Sequence, residues 1–176
     1  MAERDIWVFG YGSLMWNPGF AFAARSQALL GGRHRALCVW SVVWRGTAER
    51  PGLVLGLDRG GACRGLAYRV AADKAEEVLA YLDARERVTE VYLRRTVELR
   101  LAGGERVRAE TYVCDRAHPQ YAGRIAPIEA ARIIRASAGQ GGTNIDYLEN
   151  TVRYLDEFGL PDGPLHELAR RVREGR

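Results

Sequence analysis

The chain has 176 residues, of which 47% are hydrophobic and 27% charged, and its formal net charge is +4. This is the balance of an ordinary globular protein, and the length suits one domain over residues 1–176. Arginines alternate with acidic residues, so the charge pattern does not favour nucleic acid as a partner. The most apolar run, Ala36–Trp44, is nine residues long and too short to cross a membrane.

Cysteine and histidine spacing indicates the compartment. Cys38, Cys63 and Cys114 form no C-x-x-C pair, and the three histidines lack metal-ligand spacing. We therefore expect no disulfide framework, no metal site and a cytoplasmic, reducing environment. The first five residues include acids and begin no long apolar stretch, so we expect no signal peptide. The sequence leaves a homodimer open.

The first half of the chain predicts short strands followed by one helix. Apolar runs bounded by turn residues predict strands at residues 6–9, 33–44, 53–57 and 63–70. Between the first two lies a predicted loop through Asn17–Gly19, and residues 58–61 read as a turn. An amphipathic helix is predicted over residues 72–86.

The second half begins with the clearest hairpin and then becomes helical. Two alternating strands, 92–101 and 105–114, flank a turn that contains two glycines. Pro127 begins a helix, Thr143 or Asn144 caps another, and a last helical segment starts at Pro164. This order predicts an α+β fold: a small mixed β-barrel with an inserted helix and a helical C-terminal third.

One carboxylate stands where the helix pattern calls for an apolar residue. Glu86 lies four residues after Leu82 and seven after Leu79, near the middle of the apolar stripe. Burial and the negative end of the helix dipole both raise the pKa of such a carboxyl toward the range of a general base. The alternatives are that the stripe simply ends in solvent at Glu86, or that Arg85 or Arg87 pairs with it.

Tyr11, Gly12, Ser13 and Leu14 form a tight turn directly after the first strand. Gly10 and Gly12 allow positive φ, which would let successive N–H groups converge on an anion. The third glycine of a dinucleotide fingerprint is missing, and Ser13 lacks the glycines of a nucleophile elbow. The alternative is that the turn only reverses the chain.

Several other residues are candidates for binding. Arg45 begins a loop, and His34 and Arg35 lie in a strand, where each could recognise a carboxylate. Tyr147 sits off the apolar stripe of its helix, so it is either a surface aromatic or reaches into a cleft. The glycine-rich segment 139–142 before that helix could bind an anion, or could serve only as a connection with a helix cap.

The motifs along the chain carry a family resemblance. The segment 7–14 followed by Trp16 is similar to the opening signature of the ChaC family of γ-glutamylcyclotransferases. Further segments match in the same order, at 45–47, 50–52, 64–69, 81–86 and 144–148. The resemblance runs from about Trp7 to Leu155. Two departures are Arg87-Val88-Thr89-Glu90 after the R-E pair and Ile145 in the N-T-E-Y-L position.

The resemblance implies a glutathione-specific cyclotransferase that releases 5-oxoproline and cysteinylglycine without a metal or cofactor. The family's catalytic glutamate corresponds to Glu86, and its substrate-binding turn to Tyr11, Gly12, Ser13 and Leu14. Arg45 and Tyr147 are the further substrate-binding candidates. The implied reaction is internal aminolysis, in which the substrate's own α-amino group attacks its γ-carbonyl.

Three other functions remain open at this point. The first is a cyclotransferase acting on other γ-glutamyl amino acids or amines. The second is a non-catalytic, regulatory protein that binds γ-glutamyl compounds, although a binder has no need of a buried base. The third is RNA binding, which would rest only on the arginine content.

Overall fold

The computed structural model describes residues 4–86, 88 and 90–175. The long strands are β1 (Ile6–Gly10), β2 (Ala24–Ser41), β3 (Gly52–Val70), β4 (Tyr92–Leu101) and β5 (Arg106–Cys114). The helices are α1 (Ala75–Glu86), α2 (Pro127–Ala136), α3 (Asn144–Glu157) and α4 (Gly163–Glu174). Short elements are the 3-10 helices Ser13–Met15 and Ala72–Lys74 and the strands β6 (Ala138–Gly139) and β7 (Gly142–Thr143). Within these ranges no helix is both long and apolar enough to span a membrane.

The five long strands form a closed barrel in the order β1-β3-β2-β4-β5. β1 pairs antiparallel with β3 and parallel with β5, and the parallel pair closes the barrel. β4 and β5 form the predicted antiparallel hairpin, with Tyr92 opposite Cys114. The prediction of an α+β fold with a mixed barrel, an inserted helix and a helical C-terminal third is confirmed.

The structure differs from prediction in its two longest strands. β2 begins at Ala24, inside the predicted loop, rather than at residue 33. β3 runs unbroken through the predicted turn at residues 58–61. Gly60 and Gly61 have φ values of 95° and 67°, a conformation that glycine adopts readily, so the strand accommodates them without ending. One long strand therefore replaces the two short ones that were predicted.

Contacts divide the chain into two compact units. The first contains Met1–Arg35 and Leu57–Asp115, and the second contains Ala36–Gly56 and Arg116–Arg176. β2 and β3 each contribute residues to both units. The expectation of one domain over the chain stays a prediction.

The core of the first unit fixes the orientation of α1. Val78 and Leu82 of α1 are buried in it, whereas Leu79 of the predicted apolar stripe is only partly buried. The cluster comprises Val8, Leu14, Val70, Val78, Leu82 and Tyr112. Since residues four apart lie on one face of a helix, packing of Leu82 also turns Glu86 toward the protein.

The second unit is built on helices that pack on one another, α2 and α3 each against α4. Thr143 caps α3, because its side chain accepts a hydrogen bond from the Asp146 N–H, as predicted. Asn144 is fully buried, accepts from the Leu53 N–H at 2.8 Å and donates to the Leu53 carbonyl at 2.8 Å. One amide side chain thus satisfies both backbone groups of a β3 residue.

We expect Gly65→Ala to destabilise the first unit. A Cβ at Gly65 would lie 2.8 Å from two ring carbons of Phe9 and closer still to the carbonyl oxygen of Gly10. Overpacking of this kind costs about 1–3 kcal/mol, to be measured by denaturant unfolding. Gly103→Ala is the matched control, since a Cβ there meets nothing within 4 Å. Equal free energies of unfolding for the two variants would contradict the close packing of Gly65 against Phe9 and Gly10.

Candidate active site

The predicted turn lies between the end of β1 and the 3-10 helix Ser13–Met15. The Met15 N–H donates to the Gly12 carbonyl at 2.9 Å and closes the turn. Gly12 has φ −138°, and Gly10 is not among the described glycines with a positive φ, so the turn does not use the conformation that these two glycines allow. The N–H groups that begin a helical turn have no acceptor within it, and they remain the donors that the turn can present.

Buried tyrosines hold this turn in place. Tyr68 is fully buried, and its hydroxyl donates to the carbonyls of Leu14 and Met15 at 3.0 and 2.8 Å. The Tyr11 hydroxyl donates to the Tyr112 carbonyl at 2.9 Å. Tyr11, Gly12 and Leu14 are buried, and Ser13 is the exposed residue of the turn.

A guanidinium lies against the start of the turn. Arg35 is buried, and its Nε donates to the Tyr11 carbonyl at 2.5 Å. Its Nη2 donates to the Arg64 carbonyl at 2.7 Å. The sequence suggested carboxylate recognition for Arg35, whereas these two bonds are made to backbone carbonyls. The positive charge beside the turn favours an anion there.

Glu86 ends α1 with most of its side chain removed from water. The side chain is 19% exposed, and its Oε1 lies 3.6 Å from Arg85 Nε. Burial raises the pKa of the Glu86 carboxyl above its ordinary value, and the Arg85 charge opposes this only in part. Pairing with Arg85 and a raised pKa therefore occur together. Arg87, the other suggested partner, lies outside the described residues.

Arg85 brings Glu86 and the turn together. Its Nη2 donates to Ser13 Oγ at 3.1 Å, and its Nη1 donates to the Asn17 carbonyl at 2.6 Å. One guanidinium thus contacts both the predicted catalytic carboxylate and the predicted substrate-binding turn. We call Glu86, Arg85 and Ser13 the glutamate site. Sequence reasoning named Arg85 only as a partner of Glu86, because its contacts with the turn are tertiary.

Asp83, one turn before Glu86, has a partner at each of its carboxylate oxygens. Its Oδ1 accepts from the Tyr112 hydroxyl at 2.7 Å, and its Oδ2 pairs with Arg94 at 2.8 Å. Burial and the bond to Asp83 raise the pKa of Tyr112, so its hydroxyl remains a donor. These contacts tie α1 to β4 and β5.

Arg45 and Tyr147 lie next to each other in the second unit. The Arg45 guanidinium is 5.6 Å from the centre of the Tyr147 ring and donates to the Thr143 carbonyl at 3.2 Å. The Tyr147 hydroxyl accepts from the Leu55 N–H at 3.0 Å, so this ring is bound to β3. Their assignment to substrate binding stays a prediction.

The remaining binding candidates, the segment 139–142 and His34, make contacts with nearby backbone groups. The segment 139–142 turns between β6 and β7 and leads into the Thr143 cap, which fits the reading as a connection. His34 Nδ1 lies 2.9 Å from the Gly60 carbonyl. Among the described residues, no three histidine, cysteine or acidic side chains are grouped so as to hold a metal ion. The three cysteines are buried, and none of them is in a disulfide.

Comparison with known proteins identifies close similarity over almost the whole chain. The family described as ChaC-like protein matches residues 6–175. A protein of Escherichia coli named glutathione-specific gamma-glutamylcyclotransferase is 38% identical over 98% of this chain and 74% of its own. A Homo sapiens protein named glutathione-specific gamma-glutamylcyclotransferase 1 is 35% identical over 89% of this chain and 72% of its own length.

A solved structure has the same fold. It is described as a glutathione-specific gamma-glutamyl cyclotransferase from yeast and superimposes with a TM-score of 0.86. The match covers 98% of this chain and 97% of that one at 23% identity. At this identity the likeness extends to the fold alone.

The raised pKa of Glu86 has a consequence for stability. The folded protein holds this proton more tightly than the unfolded chain, so folding free energy is lost as pH rises from the ordinary carboxyl pKa through the raised one. We expect Glu86→Gln to be more stable than the natural protein at neutral pH and to lose that advantage at acid pH. Thermal unfolding midpoints at the two pH values measure this.

Glu76→Gln, on the exposed side of the same helix, is the control, and it should show no such pH-dependent gain. If the stability of Glu86→Gln relative to the natural protein is the same at both pH values, the raised pKa of Glu86 is contradicted.

Proposed function

The chain belongs to the ChaC-like family, and we propose that it is a γ-glutamylcyclotransferase that cleaves glutathione to 5-oxoproline and cysteinylglycine. The single observation that carries this is the glutamate site, where a largely buried carboxylate and the Ser13 turn share the Arg85 guanidinium. The names of the relatives supply the substrate class, and this site supplies groups for the chemistry.

The proposed reaction is an internal aminolysis. The α-amino nitrogen of the γ-glutamyl unit forms a bond with its own γ-carbonyl carbon and closes a five-membered lactam. The bond from that carbon to the cysteinyl nitrogen breaks, and the cysteinylglycine amine leaves with a proton. Nucleophile and electrophile are in one molecule, so the enzyme mainly has to hold the substrate folded, where effective molarities of about 10⁵ M or more are attainable.

Glu86 is the proposed proton carrier. The substrate amine arrives as an ammonium and cannot attack until a base removes its proton. Burial makes the Glu86 carboxylate a better acceptor than an exposed glutamate. The same carboxyl then returns the proton to the departing cysteinyl nitrogen, and the second proton that the attacking nitrogen loses as the lactam forms passes to the released amine. The Glu86 side chain therefore ends the cycle as it began.

The Tyr11–Leu14 turn is the proposed binding element. Its backbone N–H groups and the Ser13 hydroxyl are suited to a carboxylate or to the oxyanion that develops at the γ-carbonyl. Arg35 at the Tyr11 carbonyl and Arg85 at Ser13 Oγ add positive charge on two sides of the turn. An anionic substrate group is therefore favoured there.

The cytoplasmic location stays a prediction.

Glu86→Gln should remove turnover while the fold and glutathione binding are retained. The amide has nearly the shape of the carboxyl but cannot accept the ammonium proton, and loss of a general base costs about 10²–10⁴-fold in rate. The assay incubates purified protein with glutathione and quantifies 5-oxoproline and cysteinylglycine, while calorimetry follows binding to the variant.

Glu76→Gln is again the control and should retain full activity, since that side chain is exposed elsewhere on α1. A parallel incubation with γ-glutamyl-alanine separates a glutathione-specific enzyme from one that accepts other γ-glutamyl compounds. Undiminished 5-oxoproline release by Glu86→Gln would refute the role of Glu86. No release by the natural protein from either compound would refute the proposed function.

A further inference from the structure

Arg85 makes an unusual set of contacts for an arginine in the last turn of a helix. The cation of such a residue commonly interacts with the free carbonyl groups at the C-terminal end of its own helix. Here Nη1 instead donates to the carbonyls of Asn17 and Pro18 at 2.6 and 3.2 Å, and Nη2 donates to Ser13 Oγ. The guanidinium is therefore directed at the segment that begins with the turn.

The segment is also pressed onto α1 beside Arg85. Gly19 has φ 74°, and a Cβ there would overlap the Tyr81 hydroxyl, so the chain passes directly over this ring. The same hydroxyl accepts from Arg85 Nη1 at 3.2 Å. Ring and guanidinium together hold residues 13–19 against the end of the helix.

The fifth contact of Arg85 is with the reacting group proposed above. Its Nε lies 3.6 Å from Glu86 Oε1, and both side chains are about one-fifth exposed, at 20% and 19%. A planar guanidinium donates in fixed directions. Bonds to Ser13, Asn17 and Pro18 therefore fix the place of the cation beside the carboxylate.

We propose that Arg85 is the positioning residue of the reaction, which sets the spacing between Glu86 and the substrate-binding turn and keeps a cation beside the carboxylate. This inference rests on the proposed function. Arg85 need not touch substrate, because it acts through Ser13 and Glu86.

The charges around the end of α1 make the electrostatic part testable. From β4 and β5, Arg94 and Tyr112 face Asp83, one turn earlier, and bind it. Burial raises the pKa of Glu86, and the Arg85 charge beside it lowers that pKa. Removal of the Arg85 charge therefore moves the pKa of Glu86 further upward, and the base becomes ionised only at higher pH.

Two variants separate the charge of Arg85 from its geometry. Arg85→Gln removes the cation, so the acid limb of the kcat/KM profile for glutathione should move to higher pH. Arg85→Lys retains a cation but not the guanidinium fork, so its acid limb should stay near that of the natural protein. Its kcat/KM should nevertheless fall by about 10²-fold, the loss that a misplacement near 1 Å can cause.

Arg94→Gln is the matched control, because it removes an ion pair to the same helix without touching Glu86. Its acid limb should not move. All variants act on the same substrate, so a difference between limbs reports an enzyme group, and circular dichroism checks that each variant is folded.

The outcomes distinguish the two proposals. The inference is supported if the acid limb moves to higher pH in Arg85→Gln and stays near that of the natural protein in Arg85→Lys and Arg94→Gln. An unshifted limb in Arg85→Gln, or an equal shift in Arg94→Gln, overturns it while the proposed function stands. A natural protein that releases no 5-oxoproline overturns both.

Discussion

The desolvation of one carboxylate is the constraint around which the first unit is arranged. Glu86 is mostly removed from water, and Arg85 is the charged group that offsets this among the described residues. A carboxylate in such a place is costly unless it is paired, protonated or used. The stability of α1 comes from elsewhere, since Val78 and Leu82 pack in the core and Asp83 is tied to Tyr112 and Arg94. The helix can therefore carry an unfavourable residue at its end.

The turn that shares the Arg85 guanidinium with this carboxylate is held in place by buried side chains. The Tyr11 and Leu14 side chains are buried, and Tyr68 binds the carbonyls of the 3-10 helix. These contacts leave little freedom to the peptide groups between them. Substrate recognition by backbone N–H groups requires such rigidity, because a peptide group that could rotate would lose its alignment with the bound anion.

How much the sequence could predict depends on the range of the interactions involved. The burial of Glu86 could be predicted from periodicity because a helix repeats its faces every three to four residues, and packing of Leu82 then decides where that face points. The partner of Asp83 was missed because Tyr112 is 29 residues away in sequence. Tyr68 lies inside a motif that was recognised, yet its bond to Leu14 spans 54 residues. The first part of β2 was missed for a similar reason, since residues 28–30 pair with β4, which is distant in sequence, and the segment has few local strand signals.

Two opposing demands meet at the proposed base. It has to bind a proton strongly enough to take one from an ammonium, and it also has to be ionised when the substrate arrives. Burial alone raises the pKa of the carboxyl, which makes it a stronger base but leaves less of it ionised. An exposed ion pair would lower the pKa, which keeps the carboxyl ionised but makes it a weaker base. The Arg85 contact is longer than a close ion pair, at 3.6 Å, and the guanidinium is held there by its bonds to the neighbouring segment. A cation fixed at that distance moderates the effect of burial without cancelling it. Because the nucleophile of the proposed reaction belongs to the substrate, this balance at one carboxylate, together with a rigid turn, is most of what the protein has to provide.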